Sequence, residues 1–318
     1  MEKIERKSIS SNILEQIDRI EQSSNKKVVI SSDYKDHRTL TLDQASHEIK
    51  ADEIDVVVTN EVYRDFVLAH ELYHVEIELS DGPKIYNAVT SGHNDVDGRI
   101  ISTANSLQET LEHALIVKKQ TEDGTYTHDI KMKYLEGIGE ALDPGVEIDP
   151  ANMRFFRTLL IFDAMVFGEH TKDYSLKEEY PTSFKYAKKL SDVLDDNDLT
   201  SNFQSRRALI RLLEDYNDVI ISNGFEGMHY HEFLNITPVI SERQLRLTLN
   251  QVYQIKHSNF ADRRYNEKAF VLLGINDGQS VASLDIDPNK VDPEFYQKYY
   301  QQTVKETFES NDVHYLIR

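Results

Sequence analysis

The 318-residue chain contains no cysteine. This absence excludes disulfides, thiolate nucleophiles and cysteine-ligated metals, so any bound metal would need histidine or carboxylate ligands. The chain also lacks an apolar run of the ~20 residues needed to cross a membrane. Residues 1–7 read MEKIERK, and no apolar stretch follows these charges, which argues against a secretory signal. We therefore expect a cytoplasmic protein with no membrane partner.

Positive charge is scarce. The chain has 36 basic and 55 acidic residues, which gives a formal net charge of −19. Phosphate backbones and anionic membrane surfaces attract basic surfaces, so no nucleic-acid partner is predicted. The length allows one large domain or two ordinary ones. Turn-forming Asp-Pro pairs at 143–144 and 149–150 predict a boundary there, between a domain of residues 1–148 and one of residues 149–318.

One stretch combines two histidines with a carboxylate at an informative spacing. Residues 70–74 read His-Glu-Leu-Tyr-His, the HExxH pattern. Residues four apart on a helix lie on one face, so His70 and His74 can offer two imidazole nitrogens to one zinc ion. Glu71 lies beside them, where its carboxylate can accept a proton from an attacking water. The pattern predicts a zinc site with Glu71 as the general base.

The sequence around the motif favours a buried helix. Residues 54–59 are rich in β-branched side chains and predict a strand, and Asn60 can cap the helix that follows. Apolar residues between positions 66 and 77 share a broad face with the two histidines, which should therefore point toward packed protein. The competing interpretation is an amphipathic helix whose histidines are hydrogen-bonded and bind no metal.

A catalytic zinc usually takes three protein ligands and one water, so a further ligand is needed. A second helix is predicted over residues 103–120, after a polar loop, and three candidates cluster on it. We predict Glu112, which follows His74 by 38 residues, as the third metal ligand. Glu109 and His113 are alternative ligands, or residues that hold a histidine ring by its far nitrogen.

These residues resemble the HExxH zinc metallopeptidases known as zincins, and most nearly the gluzincin arrangement of two histidines and a downstream helical glutamate. The resemblance covers roughly residues 54–120. The metzincin extension by a glycine and a third histidine is absent, and so is the Asn-Glu pair of thermolysin-like enzymes. The segment Glu109-x-x-Glu112-His113 is instead similar to an element of poorly characterised bacterial metallopeptidase-like proteins.

The resemblance implies an α+β zincin-like domain, with a small sheet over the active-site helix, that hydrolyses peptide bonds in a peptide or protein. Tyr126 and His128 follow the second helix and are candidates for stabilising a developing oxyanion. Two other functions stay open. One is a protein-interaction module with a structural or vestigial metal site, closed by a fourth ligand such as His113 or His128. The other is a metal-dependent hydrolase of non-peptide substrates.

The second half is expected to be a mainly helical domain with a small β element, serving substrate recognition or regulation. Helices are predicted over residues 152–167, 175–194, 202–223, 241–257 and 293–310, and a last strand over 313–317. The apolar stretches 269–273 and 280–284 flank Asn276-Asp277-Gly278, which predicts a β-hairpin.

Overall fold

The computed structural model describes residues 1–142, 153–168, 176–265, 267–286 and 291–318. The chain divides into two compact units. Unit 1 comprises Met1–Asp81 and Thr110–Ser191, and unit 2 comprises Gly82–Glu109 and Asp192–Arg318. The predicted boundary after residue 148 lies outside the described residues. The units differ from the predicted domains because 82–109 group with the second half, whereas the described residues from 153 to 191 group with the first.

The chain is an α+β protein, as predicted. Its helices are α1 (Ser11–Ser24), α2 (Arg64–Leu79), α3 (Asn94–Glu122), α4 (His128–Ala141), α5 (Arg154–Gly168), α6 (Leu176–Glu179), α7 (Pro181–Asp195), α8 (Asn202–Ser222), α9 (Tyr230–Phe233), α10 (Glu242–Leu245), α11 (Pro293–Gln301) and α12 (Val304–Ser310). Its strands are β1 (Glu2–Lys3), β2 (Lys27–Ser32), β3 (Ala45–Ile49), β4 (Glu53–Val58), β5 (Ile85–Tyr86), β6 (Val89–Thr90), β7 (Asn235–Ile236), β8 (Val239–Ile240), β9 (Tyr253–Asp262), β10 (Lys268–Gly274), β11 (Ser280–Leu284) and β12 (Leu316–Ile317).

Unit 1 contains a four-stranded sheet in the order β1-β2-β4-β3. Strands β2 and β4 are parallel, and β3 runs antiparallel to β4. Alternate residues of β4, Ile54, Val56 and Val58, are fully buried, so one face of this strand packs into the core. Strand β4 leads into α2 as the sequence predicts.

Helix α2 is buried over most of its length, which explains its apolar composition. Leu68, Leu72 and Val75 are fully buried. Helix α1 packs beside α2, with its isoleucines inside, and Gln16 of α1 donates a hydrogen bond to the backbone oxygen of Ala69. The HExxH segment therefore lies in the interior of unit 1.

Helix α3 begins at Asn94, nine residues before the predicted start, inside a segment that was predicted to be a polar loop. The reason is the carboxylate of Asp97, which accepts hydrogen bonds from the backbone N–H and the hydroxyl of Ser91 and from the hydroxyl of Thr90. These contacts close the turn just before the helix and orient its first residues.

Unit 2 contains an antiparallel sheet in the order β11-β10-β9-β6. The predicted hairpin is confirmed, since β10 and β11 pair across the turn at residues 275–279. The predicted helix over 241–257 is wrong. Ser241 forms a capping box with Gln244 that starts the one-turn helix α10, and the chain then enters β9, where pairing with β10 decides the structure. The second half is thus less helical than predicted.

The helix predicted over residues 293–310 is divided in two. Thr303 caps α12 by accepting from the backbone N–H of Glu306, whose carboxylate in turn accepts from the N–H of Thr303. This capping box requires an extended Thr303, so α11 ends before it. Strand β12 then pairs in parallel with β8, which places the last residues of the chain against unit 2.

Candidate metal centre

The two motif histidines face each other as the helical spacing requires. The Nε2 atoms of His70 and His74 lie 3.2 Å apart, and the ring centroids are 4.8 Å apart. His70 is only 1% exposed, and His74 is partly buried. The pair therefore points into the interior of unit 1, as expected from the apolar face of the helix.

The residue that joins this pair is His113 of α3. Its ring centroid lies 5.0 Å from that of His70 and 5.1 Å from that of His74. One ligand atom from each of these three residues lies within 4.8 Å of the other two. His113 was an alternative candidate in the sequence, and the structure brings it, rather than Glu112 or Glu109, into the group with His70 and His74.

Each of the three rings is held at its Nδ1 atom by an oxygen from another side chain. The partners are Gln120 Oε1 at 3.1 Å from His70, Glu112 Oε2 at 3.1 Å from His74, and Asp163 Oδ1 at 2.6 Å from His113. These contacts require the Nδ1 atoms to donate. The Nε2 atoms of the neutral rings then carry lone pairs, which is the tautomer that metal-ligating histidines adopt.

The Gln120 contact fixes the tautomer of His70. The side-chain amide nitrogen of Gln120 donates to the backbone oxygen of Phe66 at 3.2 Å, so its amide oxygen is the atom that faces His70. Burial lowers the pKa of His70 well below its usual value, and the neighbouring His74 and His113 lower it further. His70 is therefore neutral at physiological pH, as a ligand must be.

The spacing of the Nε2 atoms fits a tetrahedral ion. Zn–N bonds of ~2.0–2.1 Å at tetrahedral angles place two nitrogens about 3.3–3.4 Å apart. The observed separation between His70 and His74 is 3.2 Å. Two lone pairs at this distance repel each other unless a proton or a metal ion lies between them, so the donor set itself favours a bound cation.

Asp163 of α5 organises the His113 side of the site. Its carboxylate accepts hydrogen bonds from His113, from the hydroxyl of Thr110 at 3.0 Å, and from the hydroxyl of Tyr134. Burial alone would raise the pKa of Asp163, but the electrostatic interaction with His113 and these three hydrogen bonds hold it below its usual range. Asp163 is therefore an ionised acceptor in a buried position. The ring of Phe167 packs on His113 with centroids 5.3 Å apart and forms an apolar wall.

Glu71 is buried and has an unexpected partner on the edge strand β3. Its Oε1 atom lies 2.5 Å from Nδ1 of His47, and Nε2 of the same ring lies 2.8 Å from Oε2 of Glu78, two turns further along the same face of α2. Burial lowers the pKa of His47, but hydrogen bonds and charge from both glutamates outweigh it and raise the pKa overall. Both ring nitrogens of His47 thus face carboxylate oxygens, which favours the protonated ring, and the second oxygen of Glu71 is left for another partner.

The remaining predicted residues lie elsewhere. Glu112 contacts Nδ1 of His74, which is the role that the sequence predicts for a residue of this helix that is not a metal ligand. Glu109 lies one turn before His113 on α3 and is not among the converging ligand atoms. The hydroxyl of Tyr126 donates to the backbone oxygen of Phe167, and His128 is exposed at the start of α4, so neither joins the histidine group.

Sequence reasoning missed Asp163, Gln120 and His47. Asp163 carried a usable signal, because it is the single acidic residue in the largely apolar helix Arg154–Gly168. A lone carboxylate in such a helix needs a buried partner. His47 and Gln120 lie in segments whose pattern gives no comparable signal.

Comparisons with models of protein families, with curated proteins and with solved structures each found no match. Within the described ranges, every helix is too short or too polar to span a membrane.

Proposed function

We propose that this chain is a zinc-dependent peptidase whose metal ligands are His70, His74 and His113. The observation that carries the proposal is the convergence of three imidazoles, each held at its outer nitrogen by a side-chain oxygen, within an HExxH motif. The proposal keeps zinc and the role predicted for Glu71. It replaces Glu112 with His113 as the third ligand and assigns Glu112 to the orientation of His74.

The ligand set favours a catalytic rather than a structural site. Structural zinc sites are closed by four protein ligands, whereas catalytic sites have three and an open position. Among the residues that the structure describes, the group of converging ligand atoms has three members. This supports a peptidase over the alternative of an interaction module with a closed metal site.

The chain's own groups supply the proton transfers. A zinc ion held by the three histidines would polarise a substrate carbonyl and a water in its open position. The carboxylate of Glu71 accepts the proton of the attacking water and returns it to the leaving amine. His47 holds one oxygen of Glu71, which orients the other oxygen for this task. The rings of Phe66 and Phe167, which pack near His70, keep the site apolar and so strengthen these electrostatic interactions.

The arrangement around α2 also supports a zincin-like domain. A small sheet with an antiparallel edge strand supplies His47 to the motif glutamate, and the third histidine comes from a later helix. The donor set departs from the gluzincin pattern, because the third ligand is a histidine rather than a glutamate. The resemblance therefore applies to the type of site and not to one of its named subdivisions.

The test combines metal content with proteolysis. Untagged wild-type protein and Glu71→Gln are analysed by mass spectrometry for zinc, and both are incubated with a library of quenched fluorescent peptides. We expect about one zinc per chain in both, and cleavage by the wild type that falls ~10²–10⁴-fold in Glu71→Gln. Glu15→Gln, at an exposed position of α1, serves as the matched control and should cleave at the wild-type rate.

Two outcomes would contradict the proposal. Stoichiometric zinc with no cleavage of any peptide would favour a structural site in an interaction module. If the wild type binds no zinc even after zinc is added, the three histidines form a hydrogen-bonded group and not a metal site.

A further inference from the structure

A second candidate site lies in unit 2, in a cavity of about 250 Å³. Three parts of the chain meet there: the first turns of α8, the end of β12 and the turn between β10 and β11. Eight of its lining side chains are polar or aromatic: Phe203, Arg206, Arg207, Gln244, Tyr253, Asn276, Asp277 and Arg318. The remaining lining includes apolar residues of β8 and Val252, so the cavity has both a polar and an apolar side.

The polar side is unusually basic for this acidic chain. The lining contains three arginine side chains, at 206, 207 and 318, and one acidic side chain, Asp277. Arg206 is buried and paired with Asp277, and it also donates to the backbone oxygen of Thr237 at 3.1 Å. That pair uses the one acidic side chain in the lining, so the guanidinium groups of Arg207 and Arg318 have no acidic side chain of the lining as a partner.

Of the three arginines in the lining, Arg207 and Arg318 have no ion pair with an acidic side chain among the described residues. Both lie near the ring of Phe203, with the guanidinium carbon of Arg318 at 4.6 Å from the ring centroid and that of Arg207 at 5.9 Å. Arg318 is positioned by the pairing of β12 with β8, and it donates to Oε1 of Gln244 at 3.1 Å. Stacked guanidinium groups of this kind keep free N–H donors at their edges.

Tyr253 adds a buried donor. The side chain is 6% exposed, and its hydroxyl makes no hydrogen bond to any residue in the described part of the chain. Burial raises the pKa of Tyr253, while Arg206 and Asp277 act on it in opposite directions, which places the hydroxyl close to that ion pair. A buried neutral hydroxyl without a partner is a donor that a ligand can satisfy.

The turn from β10 to β11 forms a fixed wall of the cavity. The carboxylate of Asp277 lies over Gly274, where an added Cβ would come within 2.3 Å of Oδ1, so a larger residue at 274 would displace this carboxylate. Asp277 also accepts from the backbone N–H of Gln279 at 3.1 Å. The Asp277 carboxylate that pairs with Arg206 is therefore also positioned by the turn, so this part of the site is preorganised for a ligand.

We propose that this cavity binds a small organic anion. Its carboxylate or phosphate group accepts hydrogen bonds from Arg207, Arg318 and the Tyr253 hydroxyl, and a short apolar body lies against Phe203 and the apolar lining. Guanidinium groups recognise both kinds of oxyanion, and the volume suits a molecule of about ten non-hydrogen atoms. The site is separate from the histidine cluster, and the proposal does not depend on the function of that cluster.

The experiment is isothermal titration of the full chain with phenyl phosphate and with benzoate, compared with inorganic phosphate and with benzyl alcohol. We expect at least one aromatic anion to bind with a dissociation constant below ~1 mM, a strength that ligands of this size commonly reach. Inorganic phosphate should bind at least ~10-fold more weakly because it lacks the apolar body, and benzyl alcohol should not bind.

The variants Arg207→Gln and Arg318→Gln should each weaken binding ~10-fold or more, and Tyr253→Phe by about 5–10-fold. Arg246→Gln, at an exposed arginine of unit 2 outside the cavity, is the matched control and should bind as the wild type does. Thermal unfolding verifies that each variant is folded. Tighter binding of phenyl phosphate would indicate a phosphate ligand, and tighter binding of benzoate a carboxylate ligand.

The proposal is overturned if neither aromatic anion binds at 10-fold higher concentration, or if inorganic phosphate or benzyl alcohol binds as tightly as they do. It is also overturned if folded Arg207→Gln and Arg318→Gln bind the anions with wild-type affinity.

Discussion

The Oδ1 atom of Asp163 lies 2.6 Å from the Nδ1 atom of His113, in the interior of unit 1. This carboxylate orients the ring and increases the basicity of its other nitrogen, because the negative charge stabilises the Nδ1 proton. We predict that Asp163→Asn lowers the affinity for zinc by ~10–100-fold, since the amide can still accept but carries no charge. Competition with a chromogenic zinc chelator measures the change.

Asp18→Asn is the control for this prediction, because Asp18 lies on the surface of unit 1 in an ion pair with Arg6. Its zinc affinity should equal that of the wild type. Equal affinities for Asp163→Asn and the wild type would show that the hydrogen bond to His113 has no part in metal binding.

The identity of the third ligand is tested by a pair of neighbouring substitutions. We expect His113→Ala to abolish stoichiometric zinc binding, because it removes one of the three converging nitrogens. Glu112→Gln should retain about one zinc per chain with an affinity reduced about tenfold, because it changes only the partner of His74 Nδ1. Metal content after dialysis and chelator competition provide the two measurements.

The opposite pattern, with zinc lost in Glu112→Gln and retained in His113→Ala, would restore the assignment made from the sequence. Glu109→Gln is a useful third variant. Its carboxylate is not among the converging ligand atoms, so its zinc content should not change.

The sequence was sufficient for the motif helix because its signal is local. The spacing of His70 and His74 and the apolar residues around them determine which face is buried, and the structure confirms that burial. Local sequence carries no signal that decides between Glu112 and His113 as the third ligand. These residues are adjacent on α3, so they project about 100° apart, and only the rotation of α3 about its axis decides which one reaches the group.

The errors in unit 2 have a similar origin. Residues 253–257 were assigned to a helix, whereas they form the first half of β9, because pairing with β10 depends on residues further along the chain. The hairpin of β10 and β11 was predictable because Asn276-Asp277-Gly278 encodes its turn locally. Strand pairing across long sequence separations has no such local signal, and neither has the contact between His47 and Glu71.

The clamp of His47 between Glu71 and Glu78 predicts a pH dependence of stability. Its folded pKa is raised above the usual value of 6.5, so protonation favours the folded state. This contribution is fully present below about pH 6.5 and is lost as the pH rises through the folded pKa. The difference in unfolding free energy between wild type and His47→Gln should therefore be largest near pH 6 and decrease toward pH 9.

Urea titrations of the two metal-free proteins at several pH values measure this difference. The protonation of His70, His74 and His113 contributes equally to wild type and His47→Gln, so it cancels in the difference. Glu78→Gln removes one of the two carboxylates that raise the folded pKa of His47, so the loss should be complete at a lower pH in that background. A difference between wild type and His47→Gln that grows with pH would contradict the prediction.

Two glycines in α4 provide a matched test of how tightly unit 1 is packed. A Cβ added at Gly137 would lie 2.3 Å from the backbone oxygen of Leu40, whereas one added at Gly139 would meet nothing within 4 Å. Backbone cannot move aside as a flexible side chain can, so Gly137→Ala should lower the free energy of unfolding by about 1–3 kcal/mol. Gly139→Ala should raise it by up to ~1 kcal/mol, because alanine restricts the unfolded chain and favours the helix.

Both changes can be measured by thermal and urea denaturation. Equal effects of the two substitutions would mean that α4 does not pack closely on the segment around Leu40, and the position of Tyr134, which donates to Asp163 from the same helix, would then need revision.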